Sequence, residues 1–306
     1  MRIKTLLGLA VAAVVVAFFV VPDNATKEVA SVIKRTKLRS GDKLEESPKF
    51  KSGDTKAKVG VVTLNAKNTY IFRGAVSNET VAKAQMGLMK LSRNLSRDSV
   101  IYLVLDTPGG SIQAGNTLVD TIRGLPQKVK TITQFAASMG FYFVQALDER
   151  IITPSGVLMA HRAKVGGVSG EVPGEAVVRI NMIMDIVREM EKVNALRIGV
   201  TLEDYQRVSR DEYWVSGEEA VRQGVADRVA AIACDESLDG INNVVENTIF
   251  GQVQVQFSNC PAIMAPLAVN TVPHAGLSPR EEESFRQLVN DRFLRRGLAT
   301  PSSEGH

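Results

Sequence analysis

From residue 58 onward, apolar and polar positions alternate between two periods. "KVGVVTL" and "TYIFRG" are short β-rich runs, and "SVIYLVLD" is a continuous apolar run of the kind a strand needs when both its faces are buried. "KVKTITQF", "RIITP", "VLMAH" and "GVADRVAAI" add four more predicted strands. Between them lie helical spacings. "SNETVAKAQMGLMKLSRN" opens on a Ser77 cap, "SIQAGNTLVDTIRGL" follows the apolar strand, and "ASMGFYFVQALDE" starts a third helix. Gly174 to about Arg197 is a long helix, with Val178, Met182, Ile186, Met190 and Val193 in its apolar rows. "TLEDYQRV" and "SGEEAVRQG" carry capping-box patterns, Thr201 with Asp204 and Ser216 with Glu219. Strands alternating with helices predict an α/β fold with mostly parallel pairing. After Cys234 the pattern changes: "FGQVQVQFSN" alternates like a hairpin strand, and a Ser278–Glu281 capping box opens a helix to about Arg296, stopped by Gly297.

The first residues differ in kind. Thr5 to Pro22 carries no charge, longer than the usual apolar centre of a cleaved signal and near the lower limit for a spanning helix. Residues 1–22 are therefore expected to be a signal anchor, with a signal peptide as the alternative, and residues 23–57 a basic tether. From Asp23 to Lys58 the chain holds ten Lys/Arg and six Asp/Glu, against 25 and 27 after Lys58. The formal net charge of +4 thus sits beside the apolar run, which suits a membrane surface, and no basic stripe marks the rest for nucleic acid. The two cysteines, Cys234 and Cys260, have no metal-like spacing. They read either as two buried thiols or, in an exported chain, as a disulfide. No metal or cofactor is expected.

One serine stands out. In "QFAASMGFYF", Ser138 is ringed by small residues where a strand turns into a helix. A sharp turn crowds its neighbours, and the helix N-terminus behind it favours the negative charge that forms on acyl attack. "LDTPGGS", residues 105–111, follows the apolar strand and can expose amide donors. Of three histidines, His161 closes the strand "VLMAH", where a general base could be held rigidly, and Asp211 in "RDEYWVS" is one candidate acid to orient it.

These stretches, taken in order from "TYIFRGAV" through "IYLVLDTPGGSIQAG", "AASMG" and "LMAH" to "RDEYWVSGEEAVRQGVAD", resemble the proteolytic subunit of the Clp protease, within the Clp/crotonase-type fold of repeated β-β-α units. The resemblance implies a catalytic domain over 58–233 and a C-terminal extension, a short hairpin plus a helix, over 234–306. It implies a serine endopeptidase acting on peptides or unfolded proteins, with Ser138 as nucleophile, His161 as base, Asp211 as the acid, and Gly110 and Met139 as oxyanion donors. It also implies a homo-oligomeric ring. The chain departs from the family at Arg162-Ala163 after the histidine, and at Val104, where a second aromatic beside Tyr102 is usual on the surface that docks an ATP-driven unfoldase. An unfoldase partner is therefore not expected. Alternatives are an inactive scaffold of the same fold, or a signal-peptide-peptidase-like Ser–Lys enzyme using Lys164. Arg2 and Lys4 before the apolar run favour an outward-facing, periplasmic catalytic domain, whereas Lys27, Lys34, Arg35, Lys37 and Arg39 after it favour the cytoplasmic face. The outward orientation is the expectation.

Overall fold

The computed structural model describes residues 49–50, 59–164, 171 and 174–289. The apolar run, most of the tether and the last residues lie outside them. Among the described residues, no helix is long and apolar enough to cross a membrane.

The chain order is β1 (Gly60–Leu64), β2 (Thr69–Arg73), α1 (Asn78–Arg93), β3 (Val100–Thr107), α2 (Ile112–Arg123), β4 (Lys128–Ala137), α3 (Met139–Ala146), β5 (Glu149–His161), α4 (Glu175–Ile198), α5 (Leu202–Val208), β6 (Glu212–Ser216), α6 (Gly217–Arg222) and β7 (Arg228–Cys234). A 3-10 turn (Glu236–Leu238) then leads to β8 (Ile241–Thr248), β9 (Gly251–Ser258), β10 (Ala268–Pro273) and α7 (Pro279–Val289). The main sheet runs β1-β7-β5-β4-β3-β2, parallel throughout, with β6 added antiparallel to β5.

Strand β3 shows why the sheet is central. Ile101, Leu103 and Leu105 face a core shared with Leu88 of α1, Leu118 of α2 and Phe143 of α3, whereas Val104 faces a second core with Val62, Ile132 and Ile151. Both faces are closed, so the strand has no polar alternation to show. Each of these side chains is buried, which contributes roughly 1.5–3 kcal/mol apiece. The second core is capped by Leu238, beyond β7, and by the Cys234–Cys260 pair at the end of that strand. Those cysteines form a disulfide with Cα atoms 5.8 Å apart. Of the two readings left open above, the structure has the bridge.

Three elements differ from the sequence pattern. "RIITP" and "VLMAH" are one strand, β5, because the chain passes the Pro154–Gly156 break on a register shift against β4 between Thr133 and Phe135. Ser216 begins α6 without a side-chain cap bond, unlike Thr201, whose hydroxyl accepts from the Asp204 N–H at 3.1 Å. Beyond Cys234 the structure has a three-stranded antiparallel sheet, β10-β9-β8, in place of a short hairpin. Val253, Val255 and Phe257 of β9 pack on Phe285 and Val289 of α7.

Candidate active site

The carboxyl ends of β3, β4 and β5 lie side by side, where ligands bind in open α/β sheets. Thr107 at the end of β3 pairs with Ala136, and Ala137 at the end of β4 pairs with Met159. Ser138 follows directly, half-buried, with its N–H donating to the Met159 carbonyl at 2.8 Å. That bond fixes the serine against β5 two residues before His161. Adjacent strands are about 4.8 Å apart, so Ser138 and His161 come from neighbouring strand ends.

Ser138 has φ 55° and ψ −115°. Among the described residues it is the one non-glycine with positive φ. Such a conformation costs about 1–3 kcal/mol and persists only where its surroundings enforce it. Here they do: small Ala136 and Ala137 are buried before it, and Met139 and Gly140 are buried after it at the start of α3. The serine side chain makes no capping bond to α3, so the turn presents the hydroxyl rather than spending it on the helix.

The Pro108-Gly109-Gly110 loop is pressed onto this turn. Gly109 has φ 89°, and a Cβ there would lie 2.5 Å from the Ala137 carbonyl oxygen, 2.7 Å from Ser138 Cβ and 2.8 Å from the Met139 nitrogen. Gly110, at φ 145°, forms an isolated parallel bridge with Val76, through bonds from the Val76 N–H to the Gly109 carbonyl and from the Ser111 N–H to the Val76 carbonyl, both 2.8 Å. In such a bridge the flanking residues supply the bonds, which leaves the N–H of Gly110 itself pointing the other way. The Met139 N–H is the first of α3 and has no carbonyl four residues back within the helix. Neither the Gly110 N–H nor the Met139 N–H is thus used in the Val76 bridge or within α3.

His161 is half-buried at the end of β5. Burial and the Lys164 ammonium push its imidazole below the ordinary value, against smaller upward effects of a backbone hydrogen bond at Arg162 and the Glu212 carboxylate. The ring is therefore neutral at pH 7, the form a general base needs. Asp211 lies in an exposed bend just before β6. Among the described residues no hydrogen bond joins the side chains of Ser138, His161 and Asp211; the strand register sets Ser138 and His161 at neighbouring strand ends. Lys164 is exposed. Sequence reasoning passed over Thr107, whose hydroxyl accepts from the Gly109 N–H at 3.1 Å, and Glu212, which stands opposite His161 across the β5–β6 pair. No group of three or more His, Cys, Asp or Glu side chains among the described residues could hold a metal.

Residues 54–233 match the family model described as Clp protease, well over half the chain. The chain belongs to the Clp protease family. Among its relatives are the ATP-dependent Clp protease proteolytic subunit 2 of Cutibacterium acnes, 31% identical over 166 residues, which are 53% of this chain and 77% of that protein. The ATP-dependent Clp protease proteolytic subunit of Streptococcus equi subsp. equi is 30% identical over 132 residues, 42% of this chain and 67% of that protein. That of Streptococcus gordonii is 31% identical over 134 residues, 43% and 68%. The Clp match ends at residue 233, so the β8–β10 sheet and α7 lie beyond it.

Proposed function

We propose that the chain is a serine endopeptidase acting on peptides or unfolded proteins. The observation that carries this reading is the strained Ser138 turn with the glycine loop wedged against it. Ser138 Oγ attacks the peptide carbonyl while His161 takes its proton and later delivers it to the leaving amine. The N–H groups of Gly110 and Met139 stabilise the oxyanion, where loss of one such donor typically costs about 3 kcal/mol of barrier. In this reading Asp211, in the bend before β6, is the acid that the family resemblance assigns to the histidine. Hydrolysis of a casein-type unfolded substrate by the purified chain, lost in Ser138→Ala with the fold retained, is the expected result. Undiminished hydrolysis in that variant would remove Ser138 from the role.

The assembly is a homo-oligomeric ring, by analogy with the Clp proteolytic subunits, and it works without an ATP-driven unfoldase. Support for the latter comes from the face that carries Tyr102 and Val104. Val104 is fully buried there beneath the cap that includes Leu238 and Cys260, and Gln134 donates to the Pro261 carbonyl at 2.5 Å. An unfoldase approaching that face would meet these segments beyond β7 first. Residues 5–22 tether the enzyme to a membrane with the catalytic domain outward, a reading supported by the disulfide, since such bonds persist in oxidising compartments. A C-terminal alkaline phosphatase fusion would be active under this orientation and silent under the reverse.

A further inference from the structure

In the antiparallel pairing of β5 with β6, His161 stands directly opposite Glu212. Directly opposed residues project from the same face of a sheet, with Cβ atoms about 4.5–5.5 Å apart. Glu212 is exposed, yet its carboxylate is held: the Trp214 indole Nε1–H donates to Glu212 Oε2 at 2.9 Å. Trp214 is two residues along β6 and so shares that face. It pairs with Met159 in the β5 register and packs on Phe135 of β4, ring centroids 6.5 Å apart. The carboxylate next to the candidate base is therefore braced by an indole that is itself anchored on the central sheet. The charged side chains acting on His161 are Lys164, from the segment after β5, and Glu212, from β6, with opposite signs. Asp211 lies one residue earlier, outside the strand and exposed.

We propose that Glu212, braced by Trp214, is the positioning residue for His161. It steadies the imidazole and stabilises the imidazolium that forms when the Ser138 proton moves to His161 as the Oγ–carbon bond is made. It keeps its own charge while the carbon–nitrogen bond breaks and that proton passes to the departing amine. The proposal rests on the reading of His161 as the base, and it moves the acid's role from Asp211 to its neighbour.

The test is an NMR titration of the imidazole resonances in the full chain labelled at histidine, assigned with a His161→Asn variant and compared among the parent, Glu212→Gln, Asp211→Asn and Trp214→Phe. The expected result is a His161 midpoint lower by about half a pH unit or more in Glu212→Gln, a smaller drop in Trp214→Phe, and no movement in Asp211→Asn. Acylation by a fluorophosphonate should fall by at least roughly tenfold in Glu212→Gln, with its acid limb displaced in the same direction. A midpoint that moves in Asp211→Asn and stays in Glu212→Gln would overturn the proposal and restore Asp211. Because the titration needs no turnover, its failure is distinguishable from failure of the peptidase reading. A chain that titrates as expected but takes no probe would refute Ser138 as nucleophile and leave the His161–Glu212 pairing standing.

Discussion

Replacing Gly109 by alanine should damage the site more than the fold. The perturbation is one methyl group at φ 89°, aimed at three atoms: the Ala137 carbonyl oxygen at 2.5 Å, Ser138 Cβ at 2.7 Å and the Met139 nitrogen at 2.8 Å. Two of the three are backbone, so no flexible side chain can swing clear. The left-handed conformation costs a non-glycine residue roughly 1–2 kcal/mol. Relieving the overlap by shifting the loop or the turn costs about 1–3 kcal/mol more. A loss of about 2–5 kcal/mol is expected in chemical denaturation. It is partly avoided if the loop lifts away, but that motion carries Gly110 with it and breaks its bridge to Val76. Either route shifts the glycine loop against the Ser138 turn, and with it the proposed donors Gly110 and Met139. Under conditions where the variant remains folded, labelling by a fluorophosphonate should fall by about 10²–10³-fold, the cost of losing one oxyanion donor. Circular dichroism and the labelling rate, measured on the same sample, check it. A folded Gly109→Ala that labels at the parent's rate, with unchanged stability, would refute the claim that this loop is part of the site.

Four further outcomes are expected. Replacing Cys234 and Cys260 together by serine should lower stability by about 3 kcal/mol, because the bridge closes a loop across a sequence separation of 26 residues, and the denaturation midpoint of oxidised against variant protein reads it. Asp227→Asn should cost about 2–4 kcal/mol, since it leaves the buried Arg150 guanidinium, 2.5 Å from the carboxylate, without its charge partner. Burial raises the Asp227 carboxyl, but the hydrogen bonds and charge of Arg150 outweigh it and hold it below the usual range. Its contribution is therefore full above the ordinary carboxylate value near 4 and lost as pH falls through the lowered one, so acid-unfolding curves of parent and Asp227→Asn should converge at low pH. Acylation of Ser138 should rise with pH along a limb placed below the ordinary histidine value of about 6.5, since burial and Lys164 depress His161 and only its neutral form accepts the proton; a limb above that value would contradict the environment described.

Phe50 shows how far a sequence can be read and where it stops. Lying in a polar tether, it gives no periodic signal. In the structure it is buried at 3% exposure between Tyr205 and Tyr213, with its N–H on Gln223 Oε1 at 3.1 Å. The central strands were legible because burial on both faces of β3 forces an unbroken apolar run, and Ser138 was legible because its turn admits only small neighbours. Strand β10, "AVNTVP", was not: it is half-exposed or exposed along its length and ends in proline, so nothing in its composition separates it from a loop. The unity of β5 was hidden because a proline and a glycine mark a break, whereas the sheet absorbs them at an irregular register. The choice between Asp211 and Glu212 was equally hidden. Two adjacent acids look alike in sequence, and the strand register alone decides which one stands opposite His161.

The central claim is that Ser138 is an activated nucleophile. Peptide mapping by mass spectrometry of the full chain, after reaction with a fluorophosphonate, tests it most directly. The account predicts one adduct, on Ser138, absent in His161→Ala. A folded chain that carries its adduct on a different serine, or that takes up none, would contradict it.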